Sequence, residues 1–75
     1  MPEIIHHVDV RELRKGLNMS QPQFAKRFRL NLGTLRQWEQ GRRHPDDAAR
    51  ALLRLISRVP KVVEDVFEAV HVAMR

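Results

Sequence analysis

The sequence predicts an all-α domain of five short helices, and three observations carry that expectation. Apolar residues recur at three- and four-residue intervals along most of the chain. The breaks between these runs hold helix start and stop residues: Asp9, Ser20-Gln21-Pro22, Asn31, Gly41, Pro45-Asp46 and Pro60. No stretch joins sustained apolar/polar alternation to the Asn-Gly or Asp-Gly turn of a hairpin, and the one strand candidate, Glu3 to Val8, is short and terminal.

Each helix has its own signals. Asp9 and Glu12 have capping-box spacing and open a first helix over VRELRKGL, with Val10, Leu13 and Leu17 as its apolar stripe and Gly16-Leu17-Asn18 as its stop. Ser20 and Gln23 repeat the box, and Pro22 suits a first turn whose N–H groups have no helical partner. That second helix runs to about Phe28, with Phe24, Ala25 and Phe28 facing inward. Asn31 is an N-cap residue for a third helix that stops at Gly41. Leu32, Leu35 and Trp38 recur every three positions along it, so Trp38 belongs to the core rather than to a base-stacking platform. Pro45-Asp46-Asp47 opens a fourth helix with negative charge at its positive end, and Ala48, Ala51, Leu52, Leu55 and Ile56 form its stripe to about Arg58. Pro60 begins the fifth, KVVEDVFEAVHVAM.

Seventy-five residues suffice for one small core and not for two. There is no cysteine, hence no disulfide or thiolate metal site. His6 and His7 are adjacent while His44 and His71 lie far apart, which is not zinc-site spacing, and neither a metal nor a cofactor is expected. Ser57 and Thr34 have no histidine and carboxylate at a spacing that would make them nucleophiles, and no glycine-rich phosphate loop is present. Glu39 is expected to pair with a nearby arginine, and the chain is not expected to be an enzyme. No apolar run approaches the roughly 20 residues needed to span a bilayer, and MPEIIHHVDV lacks the basic start and long apolar stretch of a signal peptide. A cytoplasmic location is the expectation.

Charge points to a partner class. Of the fourteen Lys and Arg residues, nine lie between Arg11 and Arg43 with only two acidic residues, so this segment carries +7 and the rest of the chain −2. Such a half favours a polyanion, because each phosphate neutralised releases counterions. Within it, two short helices are separated by about three residues, and the second shows Thr34, Arg36, Gln37 and Gln40 on its polar side. That is the plan of a helix-turn-helix, whose second helix fits the major groove.

MSQPQFAKRFRLNLGTLRQWEQGRRHP resembles the Cro/repressor-type (XRE) helix-turn-helix family, through S-Q-x-x-F-A, the turn, and W-E-x-G-x-x-x-P. The resemblance covers about Val10 to Ile56 and implies a five-helix, lambda-repressor-like helix-turn-helix domain. WEQGRRHP followed by ARALLRLI looks nearest to HigA-type antitoxin regulators. Carried over position by position, the family's base-reading residues fall on Leu32, Gly33 and Gln37, with Arg36 beside them. Gln37 then suits an adenine edge, Arg36 a guanine or a phosphate, and Leu32 a thymine methyl. Gly33 offers no side chain, so part of the selectivity is expected from DNA shape. Gln21, Asn31, Thr34, Gln40, Arg42 and Arg43 fall where the family holds phosphates. Arg29 stands where the family usually has a glycine in a left-handed conformation, at a cost of about 1 kcal/mol, and brings a positive charge close to the groove-facing helix.

The chain divides into an N-terminal arm (1–8), the helix-turn-helix domain (9–58) and a C-terminal helix (59–75). Val59, Val63, Val66, Phe67, Val70 and Met74 line one stripe of that last helix, with Val62, Ala69 and Ala73 beside it. Val63, Val66, Phe67, Val70 and Met74 are the expected homodimer interface. A dimer sets two reading helices one DNA turn apart, so the operator is expected to be a near-palindrome of double-stranded DNA with half-sites about 10 bp apart. The function expected is sequence-specific repression, autoregulatory, with an antitoxin role and a toxin protein as partner implied by the HigA-type resemblance. The alternative is a protein-interaction module that docks a partner through the C-terminal helix or through the arm, where Ile4, Ile5 and Val8 alternate.

Overall fold

The computed structural model describes the backbone of residues 9–73 and the side chains of residues 9–68; the arm and its strand candidate lie outside the described residues. Five helices follow in order: α1 (Val10–Gly16), α2 (Gln21–Arg27), α3 (Leu32–Glu39), α4 (Asp47–Arg58) and α5 (Pro60–Ala73). Among the described residues there is no strand, and no helix is long and apolar enough to cross a membrane.

The three predicted N-caps form, and Asp46 supplies a fourth at α4. Asp9 Oδ1 accepts the Glu12 N–H at 3.0 Å, Asn31 Oδ1 that of Thr34 at 2.9 Å, and Asp46 Oδ1 that of Ala49 at 2.8 Å. At α2 the box is reciprocal: Ser20 Oγ accepts the Gln23 N–H at 3.2 Å while Gln23 Oε1 accepts the Ser20 N–H at 2.8 Å. Each cap contributes about 1 kcal/mol, which matters for helices of seven or eight residues that could not form alone.

The three turns that follow α1, α2 and α3 share one design. Asn18 (φ 58°), Arg29 (φ 58°) and Gly41 (φ 77°) are left-handed. In each turn the next N–H reaches back five residues: Met19 to Arg14 O at 3.4 Å, Leu30 to Ala25 O at 2.8 Å and Arg42 to Gln37 O at 2.9 Å. The left-handed N–H itself binds three back, so these are Schellman endings. Asparagine and glycine tolerate that backbone, and arginine does so only under strain. Arg29→Gly is therefore expected to stabilise the domain by about 0.5 kcal/mol after the added flexibility of the unfolded chain is subtracted. Thermal unfolding would show it as a rise of several degrees; an unchanged or lower midpoint would mean that the Arg29 side chain contributes packing equal to its strain.

The core gathers Val10, Phe24, Ala25, Phe28, Leu35, Leu53, Ile56 and Val63, with Leu13, Leu17, Met19, Leu30, Leu32, Trp38, Leu52 and Phe67 packed around it. The Phe24 and Phe28 rings lie 4.9 Å apart at a tilt of 58°, as favoured by their quadrupoles. α2 packs on α3, α1 on α3, and α4 on α5.

Two stripes differ from expectation. On α4 the inward residues are Leu53 and Ile56, with Leu52 alongside, whereas Ala48, Ala51 and Leu55 are exposed. On α5, Val63 is buried and Phe67 packs on the core, so both face the chain's own interior, while Val66 stays open. Among the described residues the large apolar side chains left exposed are Leu55, Val59, Val62 and Val66, at 54, 40, 56 and 52%. The side chains of Val70 and Met74 lie outside the described residues.

Candidate nucleic-acid interface

α3 is positioned from both ends. The Schellman turn at Arg29 brings the chain round from α2, and Asn31 caps the new helix. Inward, Leu35 is fully buried. Outward, Gly33, Arg36, Gln37 and Gln40 are exposed, followed past the turn by Arg42, Arg43 and His44. Arg36, Gln37, Gln40, Arg42 and Arg43 thus share one face and its continuation.

The remaining expected contacts are placed less simply. Leu32 is half-buried against the core, so only part of it is open to a thymine methyl. A Cβ on Gly33 would stand 3.1 Å from Asn31 Oδ1, the atom that caps α3, so the position favours glycine for the sake of the cap. Asn31 has its oxygen committed to Thr34 N–H and keeps only its amide donor for a phosphate. Thr34 is half-buried. Arg43 Nη1 donates to Gln37 Oε1 at 3.4 Å, a long contact that links the loop to the helix. Arg29, in the turn between α2 and α3, also lines a groove of about 680 Å³ between α2 and α5, with Lys26, Arg27, Leu30, Glu64 and Phe67.

Behind the exposed face lies a polar cluster built on Glu39, whose side chain has no exposed surface. Arg14 grips its carboxylate with two parallel bonds, Nε to Oε2 at 2.7 Å and Nη2 to Oε1 at 2.8 Å, and sends Nη1 to the Met19 carbonyl at 3.0 Å. Gln21 Nε2 donates to Glu39 Oε1 at 3.1 Å, and Arg11 Nε stands 3.6 Å away. Hydrogen bonding from Arg14 holds the Glu39 carboxyl below its ordinary pKa, against the opposing effect of burial, with help from Gln21. The same bond raises Arg14. Glu39 is thus an ion-pair partner, joining α1, α2 and α3. Arg14 was not singled out from the sequence; its place beside the Leu13 and Leu17 stripe was the available signal.

Among the described residues no group of histidines and carboxylates gathers as metal ligands would. What the exposed face offers is hydrogen-bond donors and positive charge on one helix and the loop after it, which suits acceptor-rich base edges and phosphates.

A helix-turn-helix family model matches residues 10–59. Antitoxin HigA-2 of Vibrio cholerae serotype O1 is 38% identical in an alignment covering 84% of this chain and 71% of that protein. No solved structure matches the chain. The chain belongs to the XRE-type helix-turn-helix family of DNA-binding regulators, on the branch that resembles HigA.

Proposed function

We propose that the chain is a repressor that binds a near-palindromic operator as a homodimer, controls its own operon, and serves as the antitoxin of a type II toxin–antitoxin pair. The observation that carries the DNA-binding part is the single exposed face formed by Arg36, Gln37, Gln40, Arg42 and Arg43 on and just beyond α3. The antitoxin part rests on likeness to a protein named an antitoxin, and a toxin is its implied partner. The dimer is supported by the exposed run Leu55, Val59, Val62 and Val66 at the α4–α5 junction. Four apolar residues left open on so small a chain are costly unless a second copy covers them.

Gln37 and Arg43 separate the two kinds of contact. In fluorescence-anisotropy titrations against the duplex upstream of its own gene and against a scrambled duplex, the native protein is expected to prefer the former by roughly a thousandfold, with a steep loss of affinity in salt. Gln37→Ala should weaken operator binding by about tenfold and leave scrambled binding nearly unchanged. Arg43→Ala should weaken both alike and flatten the salt slope. Weak, equal binding to both duplexes by the native protein would reject the repressor in favour of a protein-docking module.

A further inference from the structure

The Glu39 cluster reaches the exposed face through one side chain. Gln21 Nε2 faces the buried carboxylate at 3.1 Å, and its Oε1 accepts from Arg36 Nε at 3.3 Å on the outside. A carboxylate can only accept and a guanidinium can only donate. An amide between them therefore has one orientation that satisfies both, and its neighbours dictate that orientation from either end. The Glu39 end is fixed in turn by the two-bonded grip of Arg14. A continuous hydrogen-bonded series thus links the interior to a guanidinium in solvent: Arg14 and Gln21 both donate to Glu39, and Arg36 donates to Gln21.

Arg36 spends its Nε on this series and keeps both terminal amino groups, the fork that matches the N7 and O6 acceptors of guanine. A free arginine would lose rotamer freedom on binding, whereas a tethered one arrives partly oriented. We propose that Gln21 is a positioning residue that holds Arg36 toward a guanine edge and thereby sets specificity at one base pair of each half-site, instead of clamping a phosphate itself. This rests on α3 lying in the major groove.

The test is selection of bound duplexes from a random-sequence pool by the native protein, Gln21→Met, Arg36→Met and the double variant, with Kd values for the selected and a scrambled duplex. Methionine keeps the length and apolar stem of Gln21, a half-exposed residue, and removes both amide bonds. The native consensus is expected to hold a guanine that Arg36→Met abolishes. Gln21→Met should weaken that one preference about tenfold, leave the scrambled Kd within about twofold, and have no further effect once Arg36 is gone. Equal loss on both duplexes with the guanine preference intact, or additive losses in the double variant, would overturn the proposal and make Gln21 a phosphate contact. A native protein that selects no consensus would overturn the underlying DNA reading instead.

Discussion

Glu39→Ala is expected to lower the stability of the domain by about 3 kcal/mol, the largest single effect among its polar residues. Removing one member of a buried ion pair strands the other, and Arg14 keeps only about a seventh of its side chain in solvent. The loss should fall at the lower end of the usual range because Arg14 retains its bond to the Met19 carbonyl. Chemical denaturation would measure it. A change below about 1 kcal/mol would place the pair among surface bridges. The pair also makes stability depend on pH. The native carboxyl has its pKa below the ordinary 4.5, so the unfolded chain takes up the proton first as pH falls. The contribution is complete above the ordinary pKa and is lost as pH drops through the native one. Glu39→Gln should flatten the stability profile in that acidic window and nowhere else.

Val66→Glu is expected to give a folded monomer whose operator affinity is lower by on the order of a hundredfold or more, because two linked half-site contacts become one. Val66 is 52% exposed, so the carboxylate enters no core of its own chain. It would be buried only where a second copy covers the Leu55, Val59, Val62 and Val66 run. Sedimentation would report the mass and anisotropy the affinity. Val63→Glu provides the contrast: at 7% exposure it should unfold the chain rather than dissociate it. Unchanged mass and affinity in Val66→Glu would remove this face from the interface.

Helix number, order and most boundaries were legible in the sequence because they depend on local chemistry. A cap needs an acceptor three residues from its donor, and Asp9, Ser20, Asn31 and Asp46 each supply one. The left-handed Arg29 was legible only through the family resemblance. The phase of α4 was legible only in part: Leu52 and Ile56 face inward as expected, but Leu53 was missed and Leu55 is exposed. In ARALLRLI the apolar residues cover more than half the circumference, so stripes through Leu52 and Leu55 or through Leu53 and Ile56 satisfy the same period. On α5 the expected interface placed Val63 and Phe67, which turn inward, together with Val66, which is open, and left the open Val62 at its edge. Leu53 and Val63 are recognised as core only when α4 and α5 pack on each other. The grip of Arg14 on Glu39 spans 25 positions, and no periodicity links charges so far apart. As for the candidate site, the exposed residues of α3 were readable from its apolar stripe, whereas the attachment of Gln21 to Glu39 and Arg36 required three helices to be in place.

The three Schellman turns have a thermodynamic consequence for any encounter with DNA. Their left-handed residues and back-reaching N–H bonds close the segments after α1, α2 and α3 without help from a ligand. Segments finished in this way have little backbone left to order when the helices they join dock. The entropy of association should then come mainly from released ions and from side chains such as Arg42 and Arg43. Calorimetry of such an association would show a small negative heat-capacity change, set by the area of contact and free of the large increment that accompanies coupled folding.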